Sequence, residues 1–135
     1  MKELTLEAKV EHLNDVLAFV DGCLEELDCS PRVQMQIDVA VEELFVNIAH
    51  YAYAPQAGPA TIRVDTETKP GEVAIAFIDR GAPFSPLAKA DPDTTLSAAE
   101  RQIGGLGIFM AKKSMDSMEY AYREGQNILT IRKKM

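Results

Sequence analysis

One stretch of the sequence, residues 73–84, decides the predicted fold, and it reads Val73-Ala74-Ile75-Ala76-Phe77-Ile78-Asp79-Arg80-Gly81-Ala82-Pro83-Phe84. Its first six residues are apolar at both alternating positions, which is typical of a central strand of a sheet. Asp79 ends the apolar run, and Gly81 and Pro83 are residue types that form turns and stop strands. The stretch therefore predicts a buried strand that ends in a carboxylate.

Two amphipathic helices are predicted on the N-terminal side of this strand. Apolar residues between Val10 and Leu27 recur at helical spacing. A second helix is expected to begin at Ser30-Pro31, because serine caps a helix N-terminus and proline is tolerated in the first turn. This helix should end before Pro55. Its predicted buried stripe consists of Val33, Ile37, Ala40, Val41, Leu44 and Ile48.

The remaining elements complete a sheet. Residues 3–8 and 61–68 are predicted as strands, and Pro70-Gly71 forms the turn into the central strand. The segment 118–132 is predicted as a C-terminal hairpin. This mixture predicts an α+β fold, a two-layer sandwich in which a mixed sheet carries helices on one face. At 135 residues, the chain is expected to be a single domain, residues 1–135.

The composition disfavours several classes of function. The net charge of −7 argues against non-specific binding to nucleic acid or to anionic membranes, because both depend on lysine and arginine. No apolar run approaches membrane-spanning length, and the N-terminus shows no signal-peptide core. Cys23 and Cys29 are the only cysteines, and we interpret them as free thiols. A cytoplasmic location is therefore expected.

The second predicted helix carries three polar residues, Glu43, Asn47 and His50, on one face. A solvent-facing polar stripe is one interpretation, although asparagine is a mediocre helix former because its side chain competes for backbone hydrogen bonds. The other interpretation is a magnesium–phosphate site. Mg²⁺ takes few protein oxygens and completes its shell with phosphates and waters, so the Glu43 carboxylate and the Asn47 amide oxygen suit such a site.

The end of the central strand also has two interpretations. Asp79 and Gly81 are common turn residues and can serve only to end the strand. Alternatively, a carboxylate at a strand end can accept a hydrogen bond from an adenine amino group. Gly81 would then leave room for the base to approach the backbone closely.

A long polar segment, residues 80–103, leads into a cluster of glycines. Such a segment is uncommon inside a compact domain and is usually functional, often as a lid. The cluster Gly104-Gly105-Leu106-Gly107 opens a predicted helix. Glycines can simply interrupt regular structure, but the unpaired N–H groups and dipole of a helix N-terminus favour an anion. The pattern is not a P-loop, because no Gly-Lys-Ser/Thr follows.

In this order, Glu43-x-x-x-Asn47, Asp79-x-Gly81-x-Pro83-Phe84 and Gly104-Gly105-Leu106-Gly107 resemble the three ATP-binding boxes of the gyrase, Hsp90, histidine kinase and MutL (GHKL) superfamily. The short chain looks most like the anti-sigma-factor serine/threonine kinase branch. The resemblance covers essentially the whole chain. It implies the Bergerat-type ATP-binding fold, with ATP and Mg²⁺ as cofactors.

The resemblance also implies roles for the helix and the strand end. Asn47 is expected to be a ligand of Mg²⁺, and Glu43 to be the general base that takes the proton of the attacking serine or water. Asp79 is expected to bind the adenine amino group, with Gly81 in the same pocket.

Further roles follow for the C-terminal part of the chain. Gly104, Gly105, Leu106 and Gly107 would hold the phosphates, with residues 85–103 folded over them as the lid. Thr130 would reach the adenine through a water molecule.

One position departs from the better-known anti-sigma kinases, which have an arginine directly before the glycine box. Ile103 stands there, and the nearest arginine is Arg101. Arg101 is interpreted either as a γ-phosphate ligand or as a surface residue of the lid. The departure makes nucleotide binding a firmer expectation than kinase activity.

The leading hypothesis is a serine/threonine kinase that acts as an anti-sigma factor in a partner-switching system. It would bind a sigma-like factor until an antagonist protein, which it phosphorylates on serine or threonine, releases that factor. The alternatives are an ATP-binding interaction module without efficient transfer and a stand-alone histidine kinase catalytic domain. A homodimer is compatible with the resemblance, because relatives commonly dimerise.

Overall fold

The computed structural model describes residues 1–53, 58–83 and 105–135, with the side chains of residues 51 and 105–109 excepted. Helix α1 is preceded by a 3₁₀ turn, Val10–His12. In chain order the elements are β1 (Lys2–Glu7), α1 (Leu13–Glu25), α2 (Pro31–Tyr51), β2 (Pro59–Asp65), β3 (Glu72–Asp79), α3 (Gly105–Ser114), β4 (Ser117–Arg123) and β5 (Gln126–Lys134).

The five strands form one sheet in the order β1-β2-β3-β5-β4. This arrangement with its helices confirms the predicted α+β class. The sheet was expected to be mixed, but each pairing among the described strands is antiparallel. Strand β4 runs in the same direction as β3, yet β5 lies between them, so no parallel pair forms.

One face of the sheet contacts the helices. Along β3 this face carries Val73, Ile75 and Phe77, each 1% exposed, followed by Asp79. Helix α2 covers these residues with the predicted stripe from Ile37 to Ile48. The apolar residues of β3 thus anchor the strand, and Asp79 lies at the edge of the core.

The helix starts follow the sequence signals with one exception. The Ser30 hydroxyl accepts a hydrogen bond from the Val33 N–H at 3.3 Å, which is the predicted cap of α2. The first helix was expected to include Val10, and this is wrong because α1 begins at Leu13 and Val10 lies in the 3₁₀ turn, where it is 50% exposed. Among the helices that the structure describes, none is long and apolar enough to cross a membrane.

The C-terminal hairpin is confirmed. Its turn places Glu124 and Gly125 in the left-handed region, with φ of 53° and 78°. The hairpin brings β5 beside β3, so that Asn127 lies directly opposite Asp79.

Candidate functional site

Asp79 ends β3 with a carboxylate that is 6% exposed. Its Oδ1 atom accepts a hydrogen bond from the Gly81 N–H at 2.8 Å and another from Asn127 Nδ2 at 3.0 Å. A buried carboxylate is costly unless hydrogen bonds compensate it, and these two donors do so. In the described part of the chain both donors reach Oδ1, which leaves Oδ2 to accept from a ligand.

Asn127 is a site residue that the sequence analysis missed. Besides Asp79, its Nδ2 atom lies 3.0 Å from the Ala82 carbonyl oxygen and 3.3 Å from that of Gly81. Asn127 therefore ties the end of β3 and the following turn to β5. The sequence signal that could have identified it is its polarity, because Asn127 lies on the core face of β5 together with the apolar Leu129 and Ile131.

Gly81 is required by the contact between β3 and α2. A Cβ atom built on Gly81 would lie 2.2 Å from the carbonyl oxygen of Ala52, the C-cap of α2. The sequence interpretation gave Gly81 the task of leaving room for a base. The space where a side chain would project is instead occupied by the Ala52 backbone, so the glycine brings the end of β3 against the end of α2.

Tyr53 also links the end of β3 to neighbouring segments. Its hydroxyl accepts a hydrogen bond from the Arg80 N–H at 2.6 Å and donates one to the Pro59 carbonyl oxygen at 2.6 Å. Burial raises the pKa of the Tyr53 phenol, which keeps the hydroxyl protonated as a donor. The residue next to Asp79 is thus linked to both α2 and the start of β2.

Glu43 and Asn47 lie one helical turn apart on α2, and both are half-buried beside its apolar stripe, whereas His50 is exposed. Asn47 precedes Ala52 by five residues, which is about 7.5 Å along a helix axis. Because Ala52 contacts Gly81, helix α2 places this polar pair near the same end of β3 as Asp79.

The oxygen atoms of Glu43 and Asn47 suit a metal ion that is also bound by a ligand's phosphates, rather than one bound by protein side chains alone. The described residues contain no group of three or more histidine, cysteine, aspartate or glutamate side chains that could hold a metal. Mg²⁺ commonly takes one or two protein oxygens together with substrate phosphates and waters. The amide oxygen of Asn47, with Glu43 nearby, fits that requirement.

The glycine cluster opens helix α3, as predicted, because α3 begins at Gly105 and includes Leu106 and Gly107 in its first turn. Helix α3 packs against α2. The N–H groups of a first helical turn have no partner within the helix and favour anions. Gly104 and the predicted lid, residues 85–103, lie outside the described residues, and so do Arg101 and Ile103 within that lid.

Thr130 is not brought together with the other predicted residues. It pairs with Ala76 on β3 and with Glu119 on β4. Side chains alternate between the two faces of a sheet, so Thr130 lies on the face opposite to Asp79 and Asn127. We therefore leave Thr130 out of the candidate site.

Comparisons with known proteins identify the family of this chain. The family model described as "Histidine kinase-like ATPase domain" matches residues 6–133, from β1 to β5. The serine/threonine-protein kinase BtrW of Bordetella bronchiseptica is 28% identical over 102 residues, which cover 76% of this chain and 71% of that protein. The matches confirm the resemblance to this class of ATPase.

Proposed function

We propose, on the premise that this chain belongs to the histidine kinase-like ATPase domain family, that it binds ATP with Mg²⁺ and phosphorylates a protein partner on serine or threonine. One observation carries the proposal. Asp79 ends β3 with a buried carboxylate whose Oδ1 atom accepts two hydrogen bonds. This end of β3 contacts α2, the helix that bears Glu43 and Asn47.

Asp79 supplies the base recognition in this proposal. Its Oδ1 atom is held by Gly81 and Asn127, so Oδ2 accepts a hydrogen bond from the amino group of adenine. A carboxylate accepts but does not donate. A purine with a carbonyl oxygen in that position would therefore meet an acceptor with another acceptor.

The polar pair on α2 supports phosphoryl transfer. Asn47 would hold Mg²⁺, which neutralises charge on the phosphates when bound. Glu43 takes the proton of the partner's hydroxyl as that oxygen bonds to the γ-phosphorus and the bond to the bridging oxygen of ADP breaks. The first turn of α3, from Gly105 to Gly107, would supply N–H groups to the phosphates.

The biological role proposed for this activity is that of an anti-sigma factor. Support comes from the order of the three sequence boxes and from the similarity to a serine/threonine-protein kinase. The chain would bind a sigma-like factor and release it when an antagonist protein engages and is phosphorylated. The acidic net charge of −7 suits a partner with a basic surface, and a homodimer is part of this proposal.

A second candidate function is an ATP-binding interaction module with little transfer activity. Ile103 favours it, because this residue precedes the glycine box where the resembling kinases have an arginine. In that case the nucleotide would serve to organise the site rather than to be consumed.

The variant Glu43→Gln tests the proposal, with Glu42→Gln as the matched control on the adjacent, exposed position of α2. Proteins retained by the chain from a native lysate are incubated with ATP labelled on the γ-phosphate. We expect phosphoserine or phosphothreonine with the wild type and the control, and a loss of at least about 100-fold with Glu43→Gln.

Each of the other outcomes would point to a different conclusion. Equal transfer by Glu43→Gln and wild type would remove Glu43 as the base. ATP binding without any transfer by the wild type would favour the interaction module, and phosphohistidine would favour a histidine kinase domain. Absence of ATP binding by the wild type would overturn the proposal.

A further inference from the structure

A hydrogen-bonded chain crosses three strands beside the candidate site. The Tyr120 hydroxyl on β4 donates to Asn127 Oδ1 on β5, and Asn127 Nδ2 donates to Asp79 Oδ1 on β3 at 3.0 Å. Asn127 is 6% exposed and Tyr120 is half-buried. Asn127 therefore contacts Asp79 directly, and Tyr120 is linked to Asp79 through Asn127.

The surroundings of Asn127 determine which way its amide points. The atom that faces β3 lies within 3.3 Å of three oxygens: Asp79 Oδ1, the Gly81 carbonyl and the Ala82 carbonyl. Only an NH₂ group suits three acceptors. The amide oxygen must then face β4, where the Tyr120 hydroxyl is the donor that it meets.

We propose that Asn127 and Tyr120 are positioning residues that make the site select purines with a 6-amino group over 6-oxo purines. The inference rests on the proposed nucleotide-binding function and adds two residues to it. Asn127 occupies Oδ1 of Asp79, and this hydrogen bond fixes the rotation of the carboxylate so that Oδ2 is the atom presented to the base. Tyr120 holds the far end of the amide and prevents it from turning away.

The consequence is a difference in affinity between two nucleotides. A 6-amino group donates to Oδ2, whereas a 6-oxo group sets one acceptor against another, and such an unpaired buried contact costs more than a missing hydrogen bond. If the carboxylate can rotate, it can place either oxygen at a different angle, and this discrimination becomes weaker. Selectivity, rather than stability alone, is therefore the property that these residues control.

The test measures the dissociation constants of ADP and of inosine diphosphate with Mg²⁺ by calorimetry, well below the unfolding temperature. The variants are Tyr120→Phe, which removes one hydroxyl, and Asn127→Leu, which removes the amide. Tyr122→Phe is the matched control, because Tyr122 is the next tyrosine on the same face of β4 and is 44% exposed. The ratio of the two dissociation constants is the readout, because a purely structural defect weakens both nucleotides alike.

We expect the wild type and Tyr122→Phe to show the same preference for ADP over inosine diphosphate. The preference should fall at least about threefold in Tyr120→Phe and at least about tenfold in Asn127→Leu, as expected for the loss of one and of several hydrogen bonds. An unchanged preference in Tyr120→Phe would overturn the role of Tyr120, whether or not Asn127→Leu folds. A wild type that binds neither nucleotide would instead refute the proposed function itself.

Discussion

Asp79 and Asp38 both bury carboxyl oxygens in this chain, but their surroundings differ. Asp79 Oδ1 accepts from two N–H groups, those of Gly81 and Asn127. The Oδ1 atoms of Asp38 on α2 and Asp21 on α1 are buried and have no hydrogen-bond donor in the part of the chain that the structure describes. Asp21 instead lies close enough to Asp38 for its charge to affect the Asp38 carboxyl group.

This second arrangement changes the titration of Asp38. The pKa of Asp38 is raised to about 7, first by burial, then by a shared hydrogen bond with Asp21 and by the charge of Asp21. Two carboxyl groups can share a hydrogen bond only when one of them carries a proton. Near neutral pH Asp38 therefore keeps a proton that an exposed aspartate would have lost.

The difference shows that donors, rather than burial, decide what a buried carboxylate can do. At the end of β3 the donors come from the polypeptide and hold an acceptor in place for a ligand. Between α1 and α2 the two Oδ1 atoms have no such donor among the described residues, and Asp38 must keep a proton or lose stability. The first arrangement is suited to recognition, and the second makes stability depend on pH.

The largest expected effect comes from Asp79→Asn. The amide would turn an NH₂ group either toward its present donors, Gly81 and Asn127, or toward the adenine amino group. We expect the affinity for ATP to fall at least about 100-fold, because a charged hydrogen bond is lost and donors oppose each other. Calorimetry with Mg·ATP measures this.

Asp65→Asn is the control for this variant. Asp65 also ends a strand and accepts from backbone N–H groups, those of Glu67 and Thr68, but it lies at the opposite end of β2 from the residue that pairs with Asp79. Its substitution should leave ATP affinity within about twofold. Equal losses in the two variants would mean that Asp79 does not read the base.

A smaller effect, on stability, is expected from Gly81→Ala. The added Cβ would lie 2.2 Å from the Ala52 carbonyl oxygen, so the strand end or the helix end must move. We expect the free energy of unfolding in urea to fall by about 2 kcal/mol or more. Gly22→Ala is the control, because nothing lies within 4 Å of a Cβ at Gly22 in α1 and alanine should stabilise that helix by about 1 kcal/mol.

The two glycine variants should therefore shift stability in opposite directions. A neutral or stabilising effect of Gly81→Ala would show that the contact between β3 and α2 can relax. The hydrogen bond from the Gly81 N–H to Asp79 would then not depend on this packing.

The smallest effect is expected from Asp38→Asn, and it depends on pH. The pKa of Asp38 is higher in the folded chain than the value near about 3.9 in an unfolded chain, so the folded state binds more protons between these values. The stability contributed by protonated Asp38 is therefore fully present below about pH 4 and is lost as pH rises through about 7. Asp38→Asn stays neutral and can donate to Asp21.

Thermal unfolding at pH 4 and pH 8 measures this difference. We expect Asp38→Asn to match the wild type at pH 4 and to be about 1 kcal/mol more stable at pH 8, less than the full pKa shift would give because the pair is partly open to solvent. Glu42→Gln, an exposed neighbour on α2, should show no such change between the two pH values. A variant that is less stable than the wild type at pH 8 would contradict the raised pKa of Asp38.

Much of the scaffold could be predicted from local patterns. The apolar run before Asp79 identified the central strand, Ser30-Pro31 located the start of α2, and the glycine cluster located the start of α3. These signals depend on neighbours in sequence, such as the alternation of a strand or the cap of a helix. The start of α1 was missed by three residues, because the apolar Val10 extends the helical spacing into a 3₁₀ turn.

The candidate site was less predictable, because it depends on register. Asn127 and Thr130 lie three residues apart on β5, so their side chains point to opposite faces. The resemblance suggested Thr130, but the pairing of β3 with β5 places Asn127 beside Asp79. The raised pKa of Asp38 beside Asp21 likewise depends on how two helices are packed together.

The sequence by itself determined that a buried strand ends in Asp79, that Glu43 and Asn47 share a helix face, and that a glycine-rich turn opens α3. These features follow from interactions among near neighbours in the chain. Only the tertiary structure decided that Asn127, 48 residues after Asp79, donates to its carboxylate. The register of two distant strands sets that contact, and it results from the packing of the whole core rather than from any local pattern.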